Sequence, residues 1–366
     1  HLREPGFEYK ETIETGAAAA ARGGFTSIAC MPNTRPTVDC PEQVDFVRRK
    51  AAEACGVHVW PIGSVSKGQR GQELTDFEAL KGAGVVALSD DGVPIQNANL
   101  MRDGLIMAHR QDLTILSHCE DADMVKNYAV NEGRVSRQLR LDGRPAIAEE
   151  LMVARDAMLA EETGAAVHIC HISTAKSVAI VRRYKRKGVQ ITCETCPQYF
   201  SLTEDEILAQ GTMARVNPPL RTWSDVEAII EGLKDGTIDA IATDHAPHSA
   251  EEKARPLTEA PSGMVGLETA LGVTLTYLYH TGELPLSDIL RKMTINPACI
   301  LRLPTKGRLA IGADADVVIF DPDEVWTVDP EQFASKGRNT PFAGKELKGK
   351  IKYTIVGGKI IYQDEK

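Results

Sequence analysis

Five side chains of this 366-residue chain could bind a metal ion together: His1, Asp91, His118, His171 and Asp244. Imidazole nitrogen and carboxylate oxygen are the donors zinc prefers, and a catalytic zinc keeps one position open for water. Each of the last four lies at or just past the end of an apolar run, and Asn33 does the same. A lone histidine on a strand is usually a satisfied core residue. Several charged groups converging on one place would repel without a cation between them, and this favours a metal. A histidine and an arginine two residues apart, His1 and Arg3, followed by the turn-forming pair Pro5-Gly6, suit the end of a strand entering a functional loop.

Neighbouring candidates separate by geometry. His168 and His171 are three apart, so on a strand they face opposite sides. His171 is the better candidate because it stands at the strand end, which leaves His168 to packing. In Ser89-Asp90-Asp91-Gly92 the adjacent carboxylates also diverge, so one can bridge metals while the other caps nearby backbone. In Thr243-Asp244-His245-Ala246-Pro247-His248 the aspartate ends a strand and the histidines follow on its loop, with His248 turned towards substrate.

The elements that must position these groups form a βαβα rhythm. Apolar runs at 25–31, 57–65, 84–88, 113–116, 165–169, 189–192 and 238–242 are mostly continuous rather than alternating, as in parallel strands buried on both faces. Helix candidates at 10–22, 41–55, 146–163, 174–187 and 224–234 lie between them. This predicts an α/β fold. Reactive residues at so many strand ends favour a (β/α)8 TIM barrel, whose strand ends converge on one mouth, over a doubly wound sheet. The barrel is expected over residues 1–305. From residue 306 the texture changes to turn-rich strands at 307–320 and a hairpin at 350–363 around Gly357-Gly358. Residues 306–366 are therefore expected to be the C-terminal half of a small β-sandwich. Partner strands and the first barrel strand are expected upstream of His1, roughly 50–60 residues at about ten per strand and turn. On that expectation the chain alone leaves a gap in the barrel, binds its first metal weakly and shows little activity.

Composition narrows the function classes. A net charge of −9 argues against a general nucleic-acid or anionic-membrane surface. No apolar stretch approaches the roughly 20 residues needed to span a bilayer. Eight scattered cysteines read as buried thiols of a soluble cytoplasmic protein. Cys193 and Cys196 form a C-x-x-C without a second pair at zinc-ribbon spacing. The arginine-rich stretch 133–144 reads as a solvated loop, with a lid or docking loop as the alternative.

Seven motifs in order carry a resemblance over the whole chain: His1-Leu2-Arg3-Glu4-Pro5-Gly6, Met31-Pro32-Asn33-Thr34, Ser89-Asp90-Asp91-Gly92, Ser117-His118-Cys119-Glu120-Asp121, His168-Ile169-Cys170-His171-Ile172-Ser173, Val216-Asn217-Pro218-Pro219-Leu220 and Ala242-Thr243-Asp244-His245-Ala246-Pro247-His248. The chain resembles the dihydroorotases of the amidohydrolase superfamily, specifically the bacterial type I group. The resemblance implies two zinc ions per subunit and the reversible conversion of N-carbamoyl-L-aspartate to (S)-dihydroorotate plus water. It makes His1 the second histidine of a His-x-His pair and Asp91 the bridging ligand, where many relatives use a carboxylated lysine. It assigns His118 and His171 to the second metal. Asp244 is then both ligand of the first metal and general base and acid. Arg3 and Asn33 would grip the substrate carboxylate, with His248 as a third contact. Asn217 and the backbone of Ser262-Gly263 would read the amide edge of the ring; many relatives have Phe-Gly at the last place. The alternatives are a hydantoinase-like or allantoinase-like cyclic amidase, and a non-catalytic homologue that scaffolds aspartate transcarbamoylase. A homodimer and association with that enzyme are the partner expectations beyond the small-molecule substrate.

Overall fold

The computed structural model describes residues 1–126 and 128–364. The chain is an α/β protein whose strands β1 (Ser27–Cys30), β2 (His58–Pro61), β3 (Ile115–Ser117), β4 (Val167–Ile169), β5 (Ile191–Thr195) and β6 (Ala240–Ile241) run parallel. β1 pairs with β2, and β3 to β6 pair in sequence order. All residues of β3 and β4 are buried, because helices cover one face and the interior the other.

The run at 84–88 is not a strand of its own. Leu88 bridges Gly63 on one side and Ile115 on the other, so it links β2 to β3 as a single-residue pairing. The flanking main chain reaches the β2 side, with Gly63 N–H donating to Ala87 O and Ser89 N–H to Gly63 O, while Leu88 itself bonds Thr114 O and Leu116 N–H on the β3 side. The chain then turns into Ser89-Asp90-Asp91-Gly92, and this ends the ladder after one residue per side.

Helices Ile13–Arg22, Pro41–Glu53, Ile147–Thr163, Ala175–Arg186 and Trp223–Lys234 occupy the predicted stretches to within three residues. The first starts where Thr12 caps it with a reciprocal bond to Thr15. Gly16 leaves a notch in that helix for Leu2: a Cβ at Gly16 would stand 2.3 Å from Leu2 Cδ2. The notch seats Leu2 and so fixes its neighbours His1 and Arg3.

The remaining strands, β7 (Val317–Thr327), β8 (Glu346–Val356) and β9 (Lys359–Gln363), form an antiparallel sheet in that order. β8 and β9 join at Gly357-Gly358, both with positive φ, as a tight hairpin requires. β7 starts later than expected and runs past Phe320; residues 307–316 are irregular, with a turn at Ile311-Gly312. Its pairing shifts register between Asp321 and Val325, where Pro322 has no N–H to donate. The sheet packs onto the first helix, where Thr354 Oγ1 donates to Ala21 O at 2.7 Å.

A cavity of about 530 Å3 lies between β1 and β6, lined by Ile28, Ala240, Leu290, Met293 and Leu303 among others, and it reaches Asp91, His171 and Asp244. Among the described residues no strand pairs with the outer edge of β1 or β6. No helix of the described residues is long and apolar enough to cross a membrane.

Candidate metal centre

His1, Asp91, His118, His171 and Asp244 meet at the C-terminal ends of the parallel strands. The Asp91 carboxylate is divided between two sets of partners. Its Oδ2 lies 3.2 Å from His1 Nε2. Its Oδ1 lies 3.4 Å from both His118 Nδ1 and His171 Nε2. His118 Nδ1 and His171 Nε2 are 2.9 Å apart, with their rings edge to face. Donors about 2.0 Å from one tetrahedral ion stand roughly 3.3 Å from each other, so the Asp91–His118–His171 triangle fits a single cation.

A second set surrounds His1. Its Nδ1 is 2.9 Å from Asn33 Oδ1, an acceptor, so Nδ1 carries the hydrogen and Nε2 turns away from Asn33. Nε2 then faces two carboxylate oxygens, Asp91 Oδ2 and Asp244 Oδ1, each at 3.2 Å. One nitrogen between two anionic oxygens must hold either a proton or a cation. Burial opposes charging His1, but the bonds to Asp244 and Asp91 outweigh it and push its pKa up to about 9. The same contest pushes His118 up to about 10 through Asp91 and Glu120. Asp91, although buried, is held well below the usual carboxylate range by His1, His118 and His171. The donor set therefore demands positive charge, and divalent metal would supply it.

Three residues of the centre, Arg3, His171 and Asp244, adopt left-handed backbone with φ of 61°, 34° and 43°. For His171 this breaks strand alternation, which is why it and His168 line the same cavity instead of opposite faces. His168 sits on β4, with Nδ1 2.8 Å from Thr192 Oγ1 and Nε2 3.1 Å from Glu194. Asp90 points away from Asp91 and accepts from the backbone of Val65 and Ser66. Burial lifts its pKa to about 6.

The residues expected to touch substrate surround this centre, several already engaged. Arg3 is half-buried, its Nε donating to Pro247 O at 3.2 Å. His248 Nε2 lies 2.9 Å from Ser262 O, which can only accept, so this nitrogen bears the hydrogen. His248 Nδ1 is then the acceptor facing Lys10 Nζ at 3.4 Å. Gly263 N–H donates to Arg215 O, and Gly263 O accepts from Lys253 Nζ and Asn339 Nδ2. Much of the Ser262-Gly263 backbone is thus committed within the protein. Lys253 is buried and also donates to Pro261 O at 3.0 Å. Burial and neighbouring Arg215 pull its pKa down to about 7.

Sequence reasoning missed two residues beside His118. Glu120 Oε2 is 3.7 Å from His118 Nε2 and 3.3 Å from Asn217 Nδ2. Burial opposes its charge, yet His118, Arg144 and Asn217 hold its pKa down at about 2. Arg144 closes the stretch read as solvated loop. The stretch is instead partly a short helix, Arg134–Leu139, with Val135 and Ser136 buried; Arg134, Arg137 and Arg140 are exposed, but Arg144 is buried. Its guanidinium donates to Tyr128 O, Glu120 Oε1 and Asn217 Oδ1. Glu120 was visible two residues after His118, inside a quoted motif. Arg144 had no sequence signal separating it from its neighbours. Cys193 and Cys196 are both buried, and burial pushes their thiols up.

Comparison with known proteins gives the family and the fold. A family model described as dihydro-orotase-like matches residues 1–177. The dihydroorotase of Pelotomaculum thermopropionicum is 53% identical over 100% of this chain and 85% of its own length. That of Acetivibrio thermocellus is 50% identical over the same shares. Among solved structures, the L-hydantoinase (dihydropyrimidinase) from Arthrobacter aurescens superposes with a TM-score of 0.90 at 24% identity, covering 100% of this chain and 84% of that one. The dihydropyrimidinase from Brevibacillus agri gives 0.86 at 23%, over 100% and 83%. These structures share the fold, while the sequence relatives place the chain more narrowly: it belongs to the dihydroorotase family.

Proposed function

We propose that the protein is a zinc-dependent dihydroorotase that interconverts N-carbamoyl-L-aspartate and (S)-dihydroorotate plus water in pyrimidine synthesis. The reading places the catalytic unit on a (β/α)8-type barrel of residues 1–305, with 306–366 as part of a β-sandwich. The observation that carries it is the divided Asp91 carboxylate, one oxygen towards His1 and the other towards His118 and His171. Asp91 would bridge two zinc ions, one shared with His1 and Asp244, the other with His118 and His171. Bound there, zinc would acidify a water and polarise the ring carbonyl.

The remaining work falls to side chains. In ring opening, the water oxygen bonds to the ring carbonyl carbon and the carbon–nitrogen bond breaks. Asp244 takes the water's proton and returns it to the leaving amide nitrogen. Arg3 meets the substrate carboxylate with a planar fork, which suits an acidic substrate better than a neutral hydantoin. Asn33 adds its Nδ2 donors, since its Oδ1 is occupied by His1. Asn217, His248 and the Ser262-Gly263 segment line the ring's other edge.

The test compares turnover of dihydroorotate and hydantoin by the zinc-loaded protein and by Asp244→Asn. Preferred turnover of dihydroorotate is expected, with kcat lowered about 10²–10⁴-fold in the variant and much of the substrate binding kept. Preferred turnover of hydantoin would point to a cyclic amidase of that type. A folded protein that takes up no zinc would support a scaffold instead.

A further inference from the structure

His245 directly follows Asp244 and points away from the metal centre, against Glu11. Both are buried, at 4% and 0% exposure. His245 Nδ1 accepts the N–H groups of Gly266 at 3.2 Å and Leu267 at 3.4 Å. A nitrogen that accepts carries no hydrogen, so Nε2 bears it and donates to Glu11 Oε2 at 3.1 Å. The imidazole is therefore locked in one tautomer with both nitrogens used.

Glu11 is equally committed. Its Oε1 receives Thr15 Oγ1 and the N–H of Lys336, and its Oε2 receives Ser335 Oγ beside His245. Four donors fill the four lone-pair sites of one carboxylate. The pair thus ties the residue after Asp244 to three separate segments: the approach to the first helix, residues 266–267 and residues 335–336. The main chain next to Asp244 is pinned as well. His245 O accepts the main-chain nitrogen of His1 at 2.7 Å, and Ala246 N–H donates to Met264 O at 2.8 Å.

Asp244 needs such support because its φ of 43° is left-handed, a conformation that strains any residue with a Cβ. We infer that Glu11 and His245 are positioning residues that hold the Asp244 main chain so that its carboxylate meets His1. They touch neither metal nor substrate. This inference rests on the reading of Asp244 as proton carrier.

The test uses Glu11→Gln, His245→Asn, their double variant and His245→Gln in the zinc-loaded protein. Glutamine at 245 can place a donor where Nε2–H stood, whereas asparagine keeps only the acceptor side. Glu11→Gln and His245→Asn should each lower kcat about 10–100-fold with KM within twofold. The double variant should be no worse than the poorer single, and His245→Gln should recover most of the loss. Amide hydrogen exchange should quicken at residues 242–247 in both single variants and stay unchanged in β7–β9. Unchanged kcat and exchange in the singles would overturn the inference, as would losses that multiply in the double variant. If Glu11→Gln does not fold, Glu11→Asp and His245→Asn carry the same comparison. Asp244→Asn separates the two claims: wild-type turnover there sinks the proton-carrier role, while exchange at 242–247 still decides the pair.

Discussion

Arg144 Nη1 lies 2.6 Å from Glu120 Oε1 and also bonds Asn217 Oδ1, so one guanidinium nitrogen sets the direction of both side chains beside His118. With Asn217 Oδ1 taken, its Nδ2 must face Glu120 and the centre. Arg144→Met should destabilise the fold by about 1–3 kcal/mol, because it takes one cation from half-buried Glu120 and the donors from Tyr128 O and Asn217 Oδ1. Arg144→Lys keeps the charge but cannot reach Tyr128, Glu120 and Asn217 together. It should raise KM for dihydroorotate more than it lowers kcat. Urea melts of the first variant and steady-state kinetics of the second check this, and an unchanged KM would remove Asn217 orientation from its role.

Asp91 is the common member of both donor sets, whereas His118 belongs to one. Asp91→Asn should therefore weaken zinc at both positions, and His118→Asn at one alone. Zinc per chain, measured by elemental analysis after gel filtration, distinguishes these outcomes. Equal losses from the two variants would mean that Asp91 does not bridge.

The Gly16 notch sets two effects in opposition. Alanine improves helix propensity by about 1 kcal/mol over glycine. The added Cβ would stand 2.3 Å from Leu2 Cδ2, and overpacking of this kind costs typically 1–3 kcal/mol. The clash should win. Gly16→Ala is expected to lower Tm by a few degrees and, by shifting Leu2 and so His1, to weaken zinc binding. Gly16→Ala with Leu2→Ala should restore zinc binding if displacement of Leu2 is the cause.

His248 gives a pH dependence. Burial, then Arg3, Lys10 and Lys253, lower its pKa from 6.5 to about 3. Between those values the unfolded chain binds a proton at this residue that the folded chain does not. Stability contributed by the uncharged ring is therefore present above pH 6.5 and lost as pH falls towards 3. One full proton corresponds to about 1.4 kcal/mol per pH unit. Urea titrations from pH 7 to 5 should show a shallower decline for His248→Asn than for the wild type; parallel slopes would refute it.

Much of this arrangement is legible in the sequence because it follows chain order and periodicity. Parallel strands buried on both faces are continuous apolar runs, and the groups at their ends are counted off by the same runs. The segment at Leu88 eluded that logic because a tight turn, invisible to hydropathy, cut its pairing to one residue. The start of β7 was misjudged for a similar reason: residues 307–316 carry apolar side chains yet are irregular, with a turn at Ile311-Gly312. His171 escaped strand alternation through its own backbone angle. Arg144, Glu11 and Lys253 are charged residues that composition assigns to solvent, and only packing from distant segments buries them. Their partners lie far away in sequence, so no local pattern announces them.

The left-handed conformations of Arg3, His171 and Asp244 have a consequence for any redesign of this protein. At these three positions glycine or asparagine would relieve the backbone, so a search guided by folding energy alone would remove the arginine, histidine and aspartate first. Selection for a hardier protein and selection for a working one pull apart at the same residues. The centre is thus where the molecule has most to gain in robustness and most to lose in chemistry.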